Sequence, residues 1–83
     1  MISGKTRDGI RLSTIVKMVS ELAGVDVRTG TKHPFMLLYS GLRPCPVAES
    51  SDAKTMIAPW LEGATGYSRK DIYSSFRAGD WYI

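Results

Sequence analysis

Cysteine and histidine are nearly missing from this sequence, and their scarcity excludes several kinds of site. Cys45 is the only cysteine among the 83 residues, so no disulfide can form within the chain. A small domain without a disulfide is typical of the cell interior. His33 is the only histidine, and one cysteine with one histidine cannot provide the nitrogen and sulfur ligands of a structural zinc site. We therefore expect a cytoplasmic protein without a metal or other cofactor.

Long apolar runs are also missing. No apolar segment of signal-peptide length follows the basic N-terminus, and no run has the length of a membrane-spanning helix. The sequence therefore predicts neither secretion nor insertion into a membrane. Hydrophobic residues nevertheless make up 43% of the chain, which is too apolar for a disordered protein. We expect one small folded domain over residues 1–83.

Positive charge exceeds negative charge only slightly. Eleven Lys and Arg against eight Asp and Glu give a net charge of +3. This balance is compatible with an anionic partner such as a nucleic acid, yet many small soluble domains share it. Charge alone therefore leaves the partner open.

The first half of the chain combines one helix with three short strands. Residues 1–11, rich in glycine and charge, are expected to form a flexible lead-in. Apolar residues then recur at helical spacing over residues 13–23, where Ser13 is the predicted N-cap. Runs typical of strands follow at residues 25–28, 33–39 and 43–47. The last run contains prolines, which cannot donate to a ladder, so it is expected at the edge of an antiparallel sheet.

The middle strand run is apolar on both of its sides. Phe35 and Leu37 share one side, while Met36 and Leu38 share the other. One side is expected to pack on helices. The other is either covered by a loop or by the C-terminal tail, residues 77–83, or exposed as a surface for a partner. The tail ends in apolar residues, and we expect it to dock on the body of the domain.

Two further helical segments are expected near the C-terminus. The first begins near residue 51, is kinked or restarted at Pro59 and is ended by Gly63 and Gly66. A capping box then opens the last helix at Ser68, and Gly79 stops it. The pattern as a whole predicts a single α+β domain of order α-β-β-β-α-α, with a three-stranded antiparallel sheet packed on helices.

His33 is the strongest candidate for chemistry. It follows Gly30-Thr31-Lys32 and opens the second strand, a position that is rigidly held and near solvent. A lone histidine in a small domain is more often structural, but Arg28, Lys32 and Arg43 are expected near the same strand ends. Cations beside an imidazole suit the cleavage of a phosphodiester. The alternative interpretation of these three cations is a solvated basic rim without a ligand.

These elements, in this order, resemble the HicA family of bacterial and archaeal mRNA interferase toxins. The resemblance extends over residues 12–76. It rests on Leu22-Ala23-Gly24 at the end of the first helix, Gly30-Thr31-Lys32-His33 between the first two strands, and Gly66-Tyr67-Ser68 after the helix that follows the third strand.

The resemblance implies a fold like that of the double-stranded-RNA-binding domain. It also implies a metal-independent endoribonuclease toxin that cleaves single-stranded mRNA and is inhibited by a HicB-like antitoxin protein. His33 would be the catalytic acid or base, and Arg28, Lys32 and Arg43 would bind RNA. The family often carries another histidine just after the proline that ends the third strand, where this chain has Val47-Ala48-Glu49.

Two alternative functions fit the same sequence. A non-catalytic module of this fold would bind RNA or DNA through the same basic strand ends. A protein-interaction domain would instead use the apolar strand and the apolar C-terminus.

Overall fold

Helices and strands follow one another in the predicted α-β-β-β-α-α order. The computed structural model describes residues 4–29 and 35–81. Its elements are α1 (Leu12–Ser20), β1 (Asp26–Arg28), β2 (Phe35–Leu38), β3 (Cys45–Val47), a π-helical segment (Ala53–Ile57) that runs directly into α2 (Ala58–Thr65), and α3 (Arg69–Ala78). The predicted α+β fold is thus confirmed. No helix within the described ranges is long and apolar enough to span a membrane.

The three strands form an antiparallel sheet with β2 in the centre. Leu37 lies opposite Val27 of β1 and opposite Cys45 of β3. Because side chains alternate along a strand, these residues share the inner side of the sheet, where Leu37, Cys45 and Val47 are buried in the core that the helices complete. β3 is an edge strand, as Pro44 and Pro46 predict.

The start of α1 differs from the sequence-based expectation. The prediction that Ser13 is the N-cap is wrong, because Arg11 occupies that position and no side chain caps the helix. Instead, the Leu12 N–H donates to the carbonyl oxygen of Gly4 at 3.1 Å. The backbone of the N-terminal segment therefore satisfies one of the N–H donors that the first turn of a helix leaves without an intrahelical partner.

Residues 4–11 of the expected lead-in adopt a defined conformation in the structure. Residues 4–11 form a closed turn in which Lys5 bridges to Arg11. Thr6 and Ile10 are buried, and the Thr6 N–H donates to the Ile10 carbonyl at 2.8 Å. We call this segment the N-terminal turn. Ile10 joins the hydrophobic core, which explains why a stretch rich in glycine and charge adopts a defined conformation.

Asp8 connects the N-terminal turn to the π-helical segment. Its Oδ1 accepts a hydrogen bond from the Ala53 N–H at 3.0 Å, and its Oδ2 accepts one from the Lys54 N–H at 2.9 Å. The hydroxyl of Thr6 also donates to Oδ1, at 2.6 Å. A carboxylate far away in sequence therefore caps the helical N-terminus that no nearby side chain caps.

Pro59 marks the restart of the second helical stretch, as the sequence predicts. The chain is π-helical up to Ile57 and α-helical from Ala58, so the change of helix type falls beside Pro59, which stands in the first turn of α2. α2 ends at Gly66, whose φ of +84° lies in the left-handed region. The expectation that Gly63 also ends this helix is wrong, because Gly63 lies inside α2.

The last helix begins and ends as expected. The Ser68 hydroxyl accepts from the Asp71 N–H at 3.2 Å, and Gly79 ends α3 with a φ of +87°. The tail then docks on the body through Trp81. Its ring centroid lies 5.7 Å from that of Phe76, and its indole N–H donates to a carbonyl of α1 at 2.7 Å. Residues 82–83 lie outside the described residues.

Candidate nucleic-acid interface

The end of the sheet that carries Arg28 is the first candidate site. Arg28 pairs with Met36, and Phe35 pairs with Val47, so β1 finishes, β2 begins and β3 finishes at this end. We call it the Arg28 end. His33 and Lys32, the predicted catalytic residue and one of the predicted RNA-binding residues, lie outside the described residues. Residues 30–34 connect β1 to β2.

The structure does not bring Arg43 to the Arg28 end. β2 runs from Phe35 to Leu38, and β3 begins at Cys45 opposite Leu37, so Arg43 precedes β3 at the opposite end of the sheet. Two successive hairpins reverse the chain at opposite ends, which is why the expected convergence of these cations fails. The carbonyl of Arg43 accepts from the Trp60 indole N–H at 2.6 Å, which ties this connection to α2, and its side chain is exposed.

The end of β3 offers no second acid or base beside its proline. Pro46 lies in the middle of β3, and Val47 after it is fully buried in the core. Glu49 is exposed, and its carboxylate lies against Gly4 of the N-terminal turn. The position at which the HicA family often has its further histidine is therefore a core position here.

The outer side of the sheet is partly apolar. Met36, Leu38 and Pro46 alternate with the inward residues and are half-buried, and they stand outside the core cluster. Asp26 and Arg28 flank them on β1. This side of the sheet is therefore not part of the core within residues 4–29 and 35–81. Those residues do not cover it completely, whether as a loop or as the described part of the tail.

A second basic surface lies between the π-helical segment and α3. It is a groove of about 590 Å³. Its residues contribute cations from both walls, an aromatic ring and small hydroxyl groups: Lys54, Thr55, Pro59, Arg69, Lys70, Tyr73, Ser74 and Arg77. We call it the basic groove. Sequence reasoning missed it, although the spacing of residues 70, 73, 74 and 77 on one face of a helix was a readable signal.

The cations of the basic groove are not equivalent. The Arg69 guanidinium binds Glu62 through Nε at 2.9 Å and Nη2 at 2.7 Å. Hydrogen bonds from the side chain and backbone of Arg69 lower the pKa of the Glu62 carboxyl. Among the residues that the structure describes, Lys54, Lys70 and Arg77 make no ion pair. Their charges are therefore available to an anionic ligand.

Other catalytic chemistry finds little support in the described part of the chain. Burial raises the pKa of the Cys45 thiol to about 11, so this buried cysteine is not a ready nucleophile. The described residues contain no cluster of His, Cys, Asp or Glu that could hold a metal ion. Comparison with protein-family models, with curated proteins and with solved structures finds no match.

Proposed function

We propose that this chain is a metal-independent endoribonuclease of the HicA type that cleaves single-stranded mRNA in the cytoplasm. The fold would be of the double-stranded-RNA-binding-domain kind. The supporting observation is the arrangement around residues 30–34: they connect the first two strands of an antiparallel β1-β2-β3 sheet that follows a helix, and exposed Arg28 flanks them. Inhibition by a HicB-like antitoxin is proposed from the family resemblance.

The proposed reaction needs one imidazole and nearby positive charge. The His33 imidazole exchanges a proton with the substrate near neutral pH, either accepting it from the ribose 2′-hydroxyl or donating it to the leaving 5′-oxygen. A bond forms between the 2′-oxygen and phosphorus, and the bond from phosphorus to the 5′-oxygen breaks. The products are a 2′,3′-cyclic phosphate and a 5′-hydroxyl end. Arg28 stabilises the charge that develops on the phosphorane oxygens.

The sequence supplies no second histidine for the other proton transfer, and Val47 occupies the corresponding position in the core. In the proposed reaction, water exchanges the remaining proton. DNA is not cut, because it lacks the attacking 2′-hydroxyl.

The test is cleavage of a labelled single-stranded RNA in buffer that contains a chelator. We expect wild-type protein to generate cyclic-phosphate ends. His33→Ala should slow the reaction by roughly 100-fold or more, which is the usual contribution of a general acid or base. A 2′-deoxy substitution at the cleaved nucleotide should block cutting. Cleavage that survives His33→Ala unchanged, or that requires an added divalent metal, would contradict the proposal.

The basic groove favours a second candidate, a nucleic-acid-binding module without catalysis. Its cations lie on elements separate from the β1-β2 connection, so binding through them needs no histidine. The same assay separates the two functions, because the module would shift the RNA on a native gel and yield no products.

A further inference from the structure

We propose that the basic groove binds the phosphate backbone of a single-stranded nucleic acid, as a contact surface separate from the Arg28 end. The inference goes beyond the proposed cleavage and does not require it. It rests on the charge of the groove, on the rigidity of its walls and on the aromatic ring within it.

Charge complementarity is the first argument. Lys70 and Arg77 lie seven residues apart on α3, which places them on one face and about 10 Å apart along the helix axis. Lys54 supplies positive charge from the opposite wall. No carboxylate lines the groove in the described part of the chain, and Glu62 neutralises only Arg69. An extended ligand with repeated negative charges matches this arrangement better than a single anion does.

The two walls are held in place before any ligand binds. The backbone N–H of Lys54 is fixed by the Asp8 carboxylate. α3 is capped at Ser68 and anchored by Ile72 and Phe76, which are buried in the core. A ligand therefore pays little to order the backbone that carries the cations, and only the ends of the long side chains lose freedom.

The aromatic ring favours nucleic acid over an acidic protein segment. Tyr73 is half-buried against the core and lines the groove between the positions of Lys70 and Arg77 on α3. A ring flanked by cations is the combination that binds single strands, since bases stack on the ring while phosphates meet the charges. Ser74 beside it provides a hydroxyl that can donate to a phosphate oxygen.

The test measures binding of a fluorescently labelled 12-nucleotide RNA by anisotropy between 25 and 300 mM NaCl, with His33→Ala protein so that no cutting interferes. In this background, Lys70→Gln with Arg77→Gln should weaken binding. It should also reduce the slope of log affinity against log salt by about 1.4, because each lost phosphate contact on a single strand contributes about 0.7. The matched control is Lys5→Gln with Lys17→Gln, which removes the same charge from exposed positions outside the groove.

Three results would overturn the inference. One is equal loss of affinity and slope in the groove variant and the control, which would mean that net charge alone binds RNA. Another is no RNA binding at the lowest salt. The last is a poly-glutamate peptide that binds as tightly as RNA with the same dependence on Lys70 and Arg77, since the ligand would then be an acidic protein. The wild-type cleavage assay runs separately, so failure of cutting and failure of the groove are told apart.

Discussion

The Arg28 end and the basic groove are both positively charged, but the chain builds them in different ways. The residues assigned to the Arg28 end are neighbours in sequence: Arg28 closes β1, and Lys32 and His33 follow within the connection to β2. The basic groove instead combines Lys54 with residues of α3 that lie fifteen or more positions later. A motif in consecutive residues can be read from the sequence, whereas a surface shared by two elements becomes visible only once they are packed.

The two regions also differ in how firmly they are supported. β1 has three residues, with only Val27 packed against the core and its neighbours exposed. The groove walls are fixed by the Asp8 cap, by the Ser68 cap and by buried residues of α3. Of the two surfaces, the basic groove is therefore the one whose backbone is more firmly held within the described residues.

The largest effect is expected for a substitution at Arg28, which tests whether the Arg28 end, and not the opposite end of the sheet, stabilises the reacting phosphate. Arg28→Gln should lower kcat/KM for RNA cleavage by roughly 100-fold, as expected when one donor to a developing negative charge is removed. Arg43→Gln removes the same charge at the opposite end of the sheet and should leave the rate within about twofold. Initial rates on the same labelled RNA measure both. Equal losses of kcat/KM in the two variants would show that the Arg28 end is no more important for the reaction than the opposite end of the sheet.

Local sequence signals predicted much of the fold. The N-cap at Ser68, the glycines that end α2 and α3, and the prolines at positions 44 and 46 all concern neighbouring residues, and the structure bears out the helix start, the helix ends and the edge strand that they predict. The restart at Pro59 was predictable for the same reason, because proline removes a donor wherever it stands.

Features that depend on distant partners were not predictable. Asp8 caps a helical N-terminus 45 residues later, so residues 4–11 look like a loose leader in sequence although Asp8 ties them to the body of the domain and Ile10 joins the core. The capping contact at the start of α1 likewise comes from the backbone of Gly4, which no local pattern around Ser13 indicates. The misplacement of Arg43 is of another kind. In an antiparallel β1-β2-β3 sheet with two hairpins, the end of β1 and the start of β3 lie at opposite ends, so the predicted topology already separated Arg43 from Arg28.

The next largest effect is expected for a substitution at Asp8, whose carboxylate supports the π-helical wall of the basic groove. Asp8→Ala should reduce the free energy of unfolding by about 2 kcal/mol at pH 7, because two backbone donors of the π-helical segment lose a charged acceptor. Urea unfolding followed by circular dichroism measures this. Asp26→Ala, at an exposed position of β1, is the control and should change stability by less than about 0.5 kcal/mol.

The loss caused by Asp8→Ala should depend on pH with a definite sign. Burial, the largest influence, raises the pKa of Asp8, but hydrogen bonds from Thr6 and from the backbone of Ala53 and Lys54 outweigh it and leave the pKa below its ordinary value. A lowered folded-state pKa gives stability that is complete above the unfolded value, near 3.9, and is lost as the pH falls through the folded value. The difference between wild type and Asp8→Ala should therefore shrink below about pH 4. A difference that stays constant down to pH 2 would contradict the capping role of the carboxylate.

The smallest effects are expected at two serines, Ser13 and Ser68, which the sequence predicts equally as helix N-caps. Ser68→Ala should lower the free energy of unfolding by about 1 kcal/mol, since its hydroxyl accepts from the Asp71 N–H at the start of the groove wall α3. Ser13→Ala should be neutral or slightly stabilising, because Ser13 lies inside α1, is exposed and caps nothing, and alanine is the better helix former. Parallel urea titrations of the two variants decide the matter. If Ser13→Ala were the more damaging change, the N-terminus of α1 would depend on that side chain after all, and the cap by the Gly4 backbone would not be sufficient.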